Sequence, residues 1–440
     1  MVGGAESFLT AFAVFLGVPS AQVGFLSSVP QLVGSSAQLL TPAGVRLLGG
    51  LKRWVVTLAY AQGVVLAATA LVPRLDAPPF LSLLILLSGY WTLNLAISPA
   101  WNHWMGLLVP AARRAVFFSR RNRVLHVCVL AGLVAGGAIL DRTAHAGATA
   151  IGFVAILVGG GVMRTVSATF LAFQAAPAKA NELKRAESFG TFLRRLPGRR
   201  EAGLLPFLWL INFAVAIGAP YFVPYMLRDL GLSYWTFMSI TGTAFLVKSA
   251  AMGLWGRAAR RLGSRRAFLV AALLIIPAPA LWSLSDSVAY LMLLQVLSGF
   301  AWAGFELCQL LLFYDLVEEH RLSDVFSYYS VVNGIGQVAG TALGGFLLSH
   351  PLFFASGYLE VFVLSSVARL LPLLTLVGTL RRLTLRQAMP RGFIMRVVGL
   401  LPEWGSFMNP LWWRPSTLAA RRRARRARLA QRRERRNGEN

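Results

Sequence analysis

Long apolar runs separated by short polar loops set the plan of this chain. A membrane-spanning helix needs roughly 20 mostly apolar residues. Eleven stretches meet that length: about 22–45, 54–73, 80–108, 124–140, 147–174, 204–227, 233–255, 267–285, 287–313, 326–349 and 354–379. A twelfth run, about 5–18, has the length of half a span, so the first helix is expected to be truncated at Met1. No basic segment precedes it, and no cleavable signal peptide is expected. The pattern predicts an all-α polytopic membrane protein.

Composition agrees. Of the 440 residues, 56% are hydrophobic and 14% charged, too apolar a surface for a soluble fold to cover. The net charge of +26 would by itself suggest nucleic acid, and its placement argues against that. With loops assigned alternately to the two sides, 37 of the 43 Lys and Arg fall on one side. Three (Arg74, Arg142, Arg228) fall on the other, and three (Arg164, Lys248, Arg369) lie within spans. Cytoplasmic loops collect Lys and Arg. The asymmetry therefore predicts a multi-pass protein of the inner (plasma) membrane with both termini cytoplasmic.

The basic stretch 175–203 divides two similar halves. "LSGYWTLNLAISPAW" from Leu87 matches "LSGFAWAGFELCQLL" from Leu297, and "RAVFFSRRN" ending at Asn122 matches "DVFSYYSVVN" ending at Asn333. Arg164 matches Arg369. The expected organisation is a six-helix half (1–174), a cytoplasmic linker (175–203), a second six-helix half (204–379) and a tail (380–440). Two homologous six-helix halves joined by a basic loop are a repeat architecture of secondary transporters.

On these features the chain resembles the major facilitator superfamily over about residues 5–380, with twelve spans as the parent plan. "GRAARRLGSRR" (Gly256 to Arg266) looks like that family's G-x-x-x-D-R-x-G-R-R gating loop, with Gly256, Arg261, Gly263 and Arg265 on matching positions. Arg260 stands where the family carries Asp, which removes the acidic partner of the charge latch. The first-half equivalent keeps Gly44, Lys52 and Arg53. Other stretches resemble a poorly characterised bacterial branch. The resemblance implies a cavity between the halves, open alternately to each side.

Charges within spans are costly and usually face a cavity or a partner. Lys248 lies nine residues before Arg257, and Glu306 nine before Asp315, both at the cytoplasmic ends of their spans. At 1.5 Å per residue the two sit at about equal depth, which predicts a Lys248–Glu306 pair that binds substrate or exchanges a proton. Snorkelling of the lysine and a protonated, hydrogen-bonded Glu306 are the structural alternatives. Asn94 and Trp101, seven residues apart on the fourth span, share a helix face and suit an aromatic or cationic ligand. Asn212 and Asn333 are further polar candidates, with inter-helix hydrogen bonding as the alternative. Arg164 and Arg369 are expected to be structural, because in the family fold their helices support the bundle from outside.

No G-x-x-x-x-G-K-[ST] loop is present for primary transport. The five histidines are scattered, and neither a nucleophile–base pair nor a metal cluster is visible, so no enzyme activity and no cofactor are expected. Cys128 and Cys308 lie in apolar runs and read as buried free thiols. The tail combines an interfacial stretch (392–413) with "RRRARRARLAQRRERR" (421–436), which suits anionic lipid. The expected partners are a small-molecule substrate and the lipid bilayer, and a monomer is expected. The function expected is secondary active transport of a small solute by alternating access, with proton coupling at the charged pair. The alternative is a transport-inactive scaffold or sensor acting through the basic tail.

Overall fold

A computed structural model describes residues 3–109, 111–176, 189–317, 321–354 and 356–372. These residues form helices and short connections, with no strand among them. A turn (Glu6–Phe8) leads into α1 (Leu9–Phe15), followed by α2 (Ser20–Gln38), α3 (Thr41–Leu47), α4 (Leu51–Ala68), α5 (Pro79–Leu108), α6 (Ala111–His145) and α7 (Thr149–Phe173). After α8 (Phe189–Arg195) the second half contains α9 (Leu204–Gly218), the single turn α10 (Phe222–Pro224), α11 (Tyr234–Leu262), α12 (Ser264–Ile275), α13 (Val288–Leu316), α14 (Leu322–Ser349) and α15 (Gly357–Ala368).

Nine helices among the described residues are long and apolar enough to cross a membrane. Two of the eleven full-length spans expected from the pattern are not among them. The run 22–45 breaks at Leu39 and Leu40 into α2 and α3, and α2 carries buried Ser28 and Ser35 on its packed face. The run 354–379 yields α15, which ends at Ala368, and residues 373–379 lie outside the described part. So do most of the linker (177–188) and the whole tail from 380. The first apolar helix covers Glu6–Phe15.

Both halves repeat one packing scheme. In the first, α2 packs on α5, α4 on α5 and α7, and the turn before α1 against α6, where Phe8 lies on Gly136. In the second, α11 packs on α13, α12 on α13, the turn after α12 on α15, and α9 on α14. The halves meet along α2–α14 and α6–α11. Along α2–α14 the close approaches run from Ala21 on Gly345 to Leu32 on Gly334, and along α6–α11 from Gly137 on Met238 to His126 on Phe245. All of these lie between the end away from the basic loops and the middle of the helices.

That end carries a clasp. Arg228, at the end of the α9–α10 segment, donates through Nη1 to Val18 O (2.8 Å) and Ser20 Oγ (3.0 Å), and through Nη2 to Val14 O (2.8 Å). Tyr358 of α15 donates to the same Ser20 Oγ at 2.7 Å. These carbonyls belong to the end of α1 and its turn into α2, where helical partners run out and a cation is favoured.

Arg369 shows how a charge can serve the backbone. Pro277 and Pro279 break α12 at Ile275, and Pro279, four residues on, has no N–H to offer the Ile275 carbonyl. Buried Arg369, directly after α15, donates Nη1 to that carbonyl at 2.6 Å, and Ser366 Oγ accepts from the Ala280 N–H at 2.9 Å. Arg369→Met should destabilise the protein by about 1–3 kcal/mol. The loss should be smaller in Arg369→Met/Pro279→Ala, where an N–H returns at 279. Unfolding midpoints of the single and double variants in one detergent check this.

Candidate functional site

The site begins with a close helix contact. A Cβ on Gly299 of α13 would meet the Ala244 carbonyl of α11 at 2.5 Å, and one on Gly304 would run into the Trp255 ring. Trp255 Nε1 donates to Phe300 O at 2.9 Å and locks the register. Glycine at these two positions lets the backbones approach. Lys248 and Glu306 then face each other: Nζ lies 2.7 Å from both Oε1 and Oε2 and donates to Oε1. The side chains are 23% and 13% exposed, so each charge is largely withdrawn from solvent and depends on the other.

Glu306 belongs to a stripe. Gln295, Ser298, Trp302, Glu306 and Gln309 recur at helical spacing on α13 and are all half-buried. Leu293, Val296 and Leu297 project from the opposite face and are exposed, as lipid contact requires. Gln309 hydrogen-bonds the Tyr329 hydroxyl of α14, which also accepts from Asn212 Nδ2 of α9 at 2.9 Å. Asn333 is one turn along α14 from Tyr329, and its Oδ1 is buried without a hydrogen-bond partner among the described residues. Four predicted residues, Lys248, Glu306, Asn212 and Asn333, thus lie along one polar face built from α9, α11, α13 and α14.

Across the interface, His126 of α6 brings the first half to this face. Its ring lies 5.7 Å from that of Phe245, one turn before Lys248, and the Lys248 charge reaches it. Asn94 is half-buried on α5. Trp101, two turns on, is covered by the Arg121 guanidinium 4.5 Å from its ring centroid and packs against the cluster around Trp104. A cation does stack on Trp101, and the chain supplies it. Burial lowers the Arg121 guanidinium from its ordinary value.

A second, half-buried charge cluster occupies the first half. Tyr90 OH donates to Glu6 Oε1, and both groups interact electrostatically with Arg164 of α7. Arg164, expected to be structural, sits with an acid and a phenol inside its own half.

The stretch from Gly256 to Arg266 contains almost no loop. α11 runs on to Leu262, Gly263 turns the chain at φ +86, a conformation that favours glycine, and α12 starts at Ser264. Gly256 is buried, Arg260 and Arg261 are exposed, and Arg265 is half-buried. Asp315, at the end of α13, hydrogen-bonds Ser264, so an acidic group does reach this turn although Arg260 has replaced the one in the motif. Cys308 is buried, but Cys128 is exposed, contrary to the sequence expectation. Among the described residues no group of His, Cys, Asp and Glu could hold a metal ion.

Repeated helices of membrane-spanning length around a polar face define a polytopic membrane fold. Residues 204–408 match the family model of the Major Facilitator Superfamily. Among solved structures, the nucleoside transporter NupG superposes with a TM-score of 0.62 at 14% identity, covering 86% of this chain and 95% of that one. A bacterial homolog to the human lysosomal transporter Spinster, in an inward-facing and occupied conformation, gives 0.60 at 14% identity, with 87% and 93% covered. A bacterial metal transporter gives 0.52 at 14% identity, with 86% and 99% covered. A search of curated protein sequences found no match. The sequence match to the superfamily model thus falls on the second half of the chain, and the solved structures share its fold.

Proposed function

We propose that the protein is a secondary active transporter that moves a small solute by alternating access, with the Lys248–Glu306 pair as its substrate or coupling group. The observation that carries this reading is the pair itself: two opposite charges at mid-helix, 2.7 Å apart, on a polar face. Burying an ion pair is a weak way to gain stability, and intramembrane charges are by default functional candidates. In this reading the contacts between halves describe a state closed at the end away from the basic loops and open at the other. Exchange of a radiolabelled solute panel in proteoliposomes tests it. A counterflow signal present in the wild type and absent in Lys248→Met/Glu306→Leu is expected. No exchange of any solute in the wild type would end the reading.

The clasp gives a separate prediction. Arg228→Ala removes three hydrogen bonds between halves and should shift the population toward the state open at that end. Spin labels at Ala146→Cys and Ser287→Cys, in a background without Cys128 and Cys308, should show a longer-distance component that grows in Arg228→Ala. An unchanged distribution would count against the clasp.

A further inference from the structure

Resting on the transporter reading, we infer that the solute held by Lys248 and Glu306 is a zwitterion, with an ammonium and a carboxylate on one small apolar body. Lys248 is the sole charged residue of α11 from Tyr234 to Leu254, and Glu306 the sole one of α13 from Val288 to Tyr314. The two charges of this pair cancel, and His126 is a further titratable group placed against Lys248. A monovalent cation that took Glu306 would strand Lys248⁺, and a monovalent anion that took Lys248 would strand Glu306⁻. Stranding one partner of a buried pair is strongly unfavourable. A zwitterion escapes this penalty. Its ammonium replaces Nζ at Glu306, its carboxylate replaces Glu306 at Nζ, and the number of buried ion contacts rises while net charge stays zero.

The surroundings suit such a ligand. Nζ already occupies the position of a ligand ammonium, equidistant from both carboxylate oxygens. Trp302 lies one turn from Glu306 on the half-buried stripe, and Phe245 one turn from Lys248. The two rings offer apolar surface and, at Trp302, a π-face for the ammonium. Asn333 Oδ1 provides a buried acceptor lacking a donor among the described residues.

Equilibrium binding to the purified full-length chain in lipid nanodiscs tests this with three probes of one body. L-phenylalanine carries both charges, 2-phenylethylamine the ammonium alone, and 3-phenylpropionate the carboxylate alone. The wild type should bind L-phenylalanine at least roughly tenfold more tightly than either single-charge probe. Lys248→Met should invert the order in favour of 2-phenylethylamine, and Glu306→Gln in favour of 3-phenylpropionate. Lys248→Met/Glu306→Leu should lose charge preference altogether. Glycine, methylamine and acetate repeat the comparison for a site too small for a phenyl ring. Binding in neither set, or single variants that leave the wild-type order in place, would overturn the inference. Because binding is read without transport, inversion together with absent counterflow would refute the transporter reading and leave the zwitterion site standing.

Discussion

Glu306→Gln alone is expected to lower the free energy of unfolding by about 3 kcal/mol, and Lys248→Met by a similar amount. Lys248→Met/Glu306→Leu should cost less than either. The reason is the exposure of the pair, 23% and 13%. Neither charge has enough water to be content alone, and each single change leaves its partner unpaired between α11 and α13. Removing both eliminates the desolvation penalty with the attraction, and two apolar side chains pack in their place. The measurement is a double-mutant cycle on unfolding in one detergent. A double variant as unstable as the sum of the singles would mean that the two side chains do not act as a pair, and both the coupling and the zwitterion readings would lose their footing. Solute exchange should vanish in all three variants, so stability and transport part company only in the double.

The depth of this pair was legible because two equal nine-residue spacings, Lys248 to Arg257 and Glu306 to Asp315, place both groups in the same layer. Helix geometry alone supplies that much. The stripe Gln295, Ser298, Trp302, Glu306, Gln309 was also legible in principle, since polar residues at helical spacing in an apolar span mark one face, and Gln309 could have been named on that ground. Tyr329 and His126 could not. Tyr329 matters through Asn212 and Gln309, on two other helices, and His126 through a contact between halves, and no periodicity within one span encodes either. The partners of Arg164 were not legible for a related reason. Its acidic neighbour, Glu6, lies in the half-length run at the chain start, where the pattern offered no depth to compare. The run 22–45 was too long because hydropathy passes smoothly over the break at Leu39 and Leu40, where Pro42 in the first turn of α3 has no N–H with which to continue α2. For Cys128 the apolar run signalled a span but did not say which face of the helix is covered.

Gly299→Ala is expected to destabilise the protein by about 1–3 kcal/mol, whereas Gly159→Ala should be neutral or stabilising by up to about 1 kcal/mol. Both replace a helical glycine with the best helix former, and propensity alone favours both. Packing reverses the sign at one of them. A Cβ at Gly159 of α7 meets nothing within 4 Å, but at Gly299 it meets the Ala244 carbonyl at 2.5 Å, and a backbone atom cannot swing aside as a side chain can. The helices α11 and α13 must separate, and the contact that separation reaches is the one between Lys248 and Glu306, whose short polar distance tolerates little displacement. Gly299→Leu should therefore abolish solute exchange although residue 299 carries no polar group, with membrane insertion retained, while Gly159→Leu should exchange like the wild type. Comparable exchange in the two leucine variants would show that the α11–α13 spacing does not set the geometry of the pair.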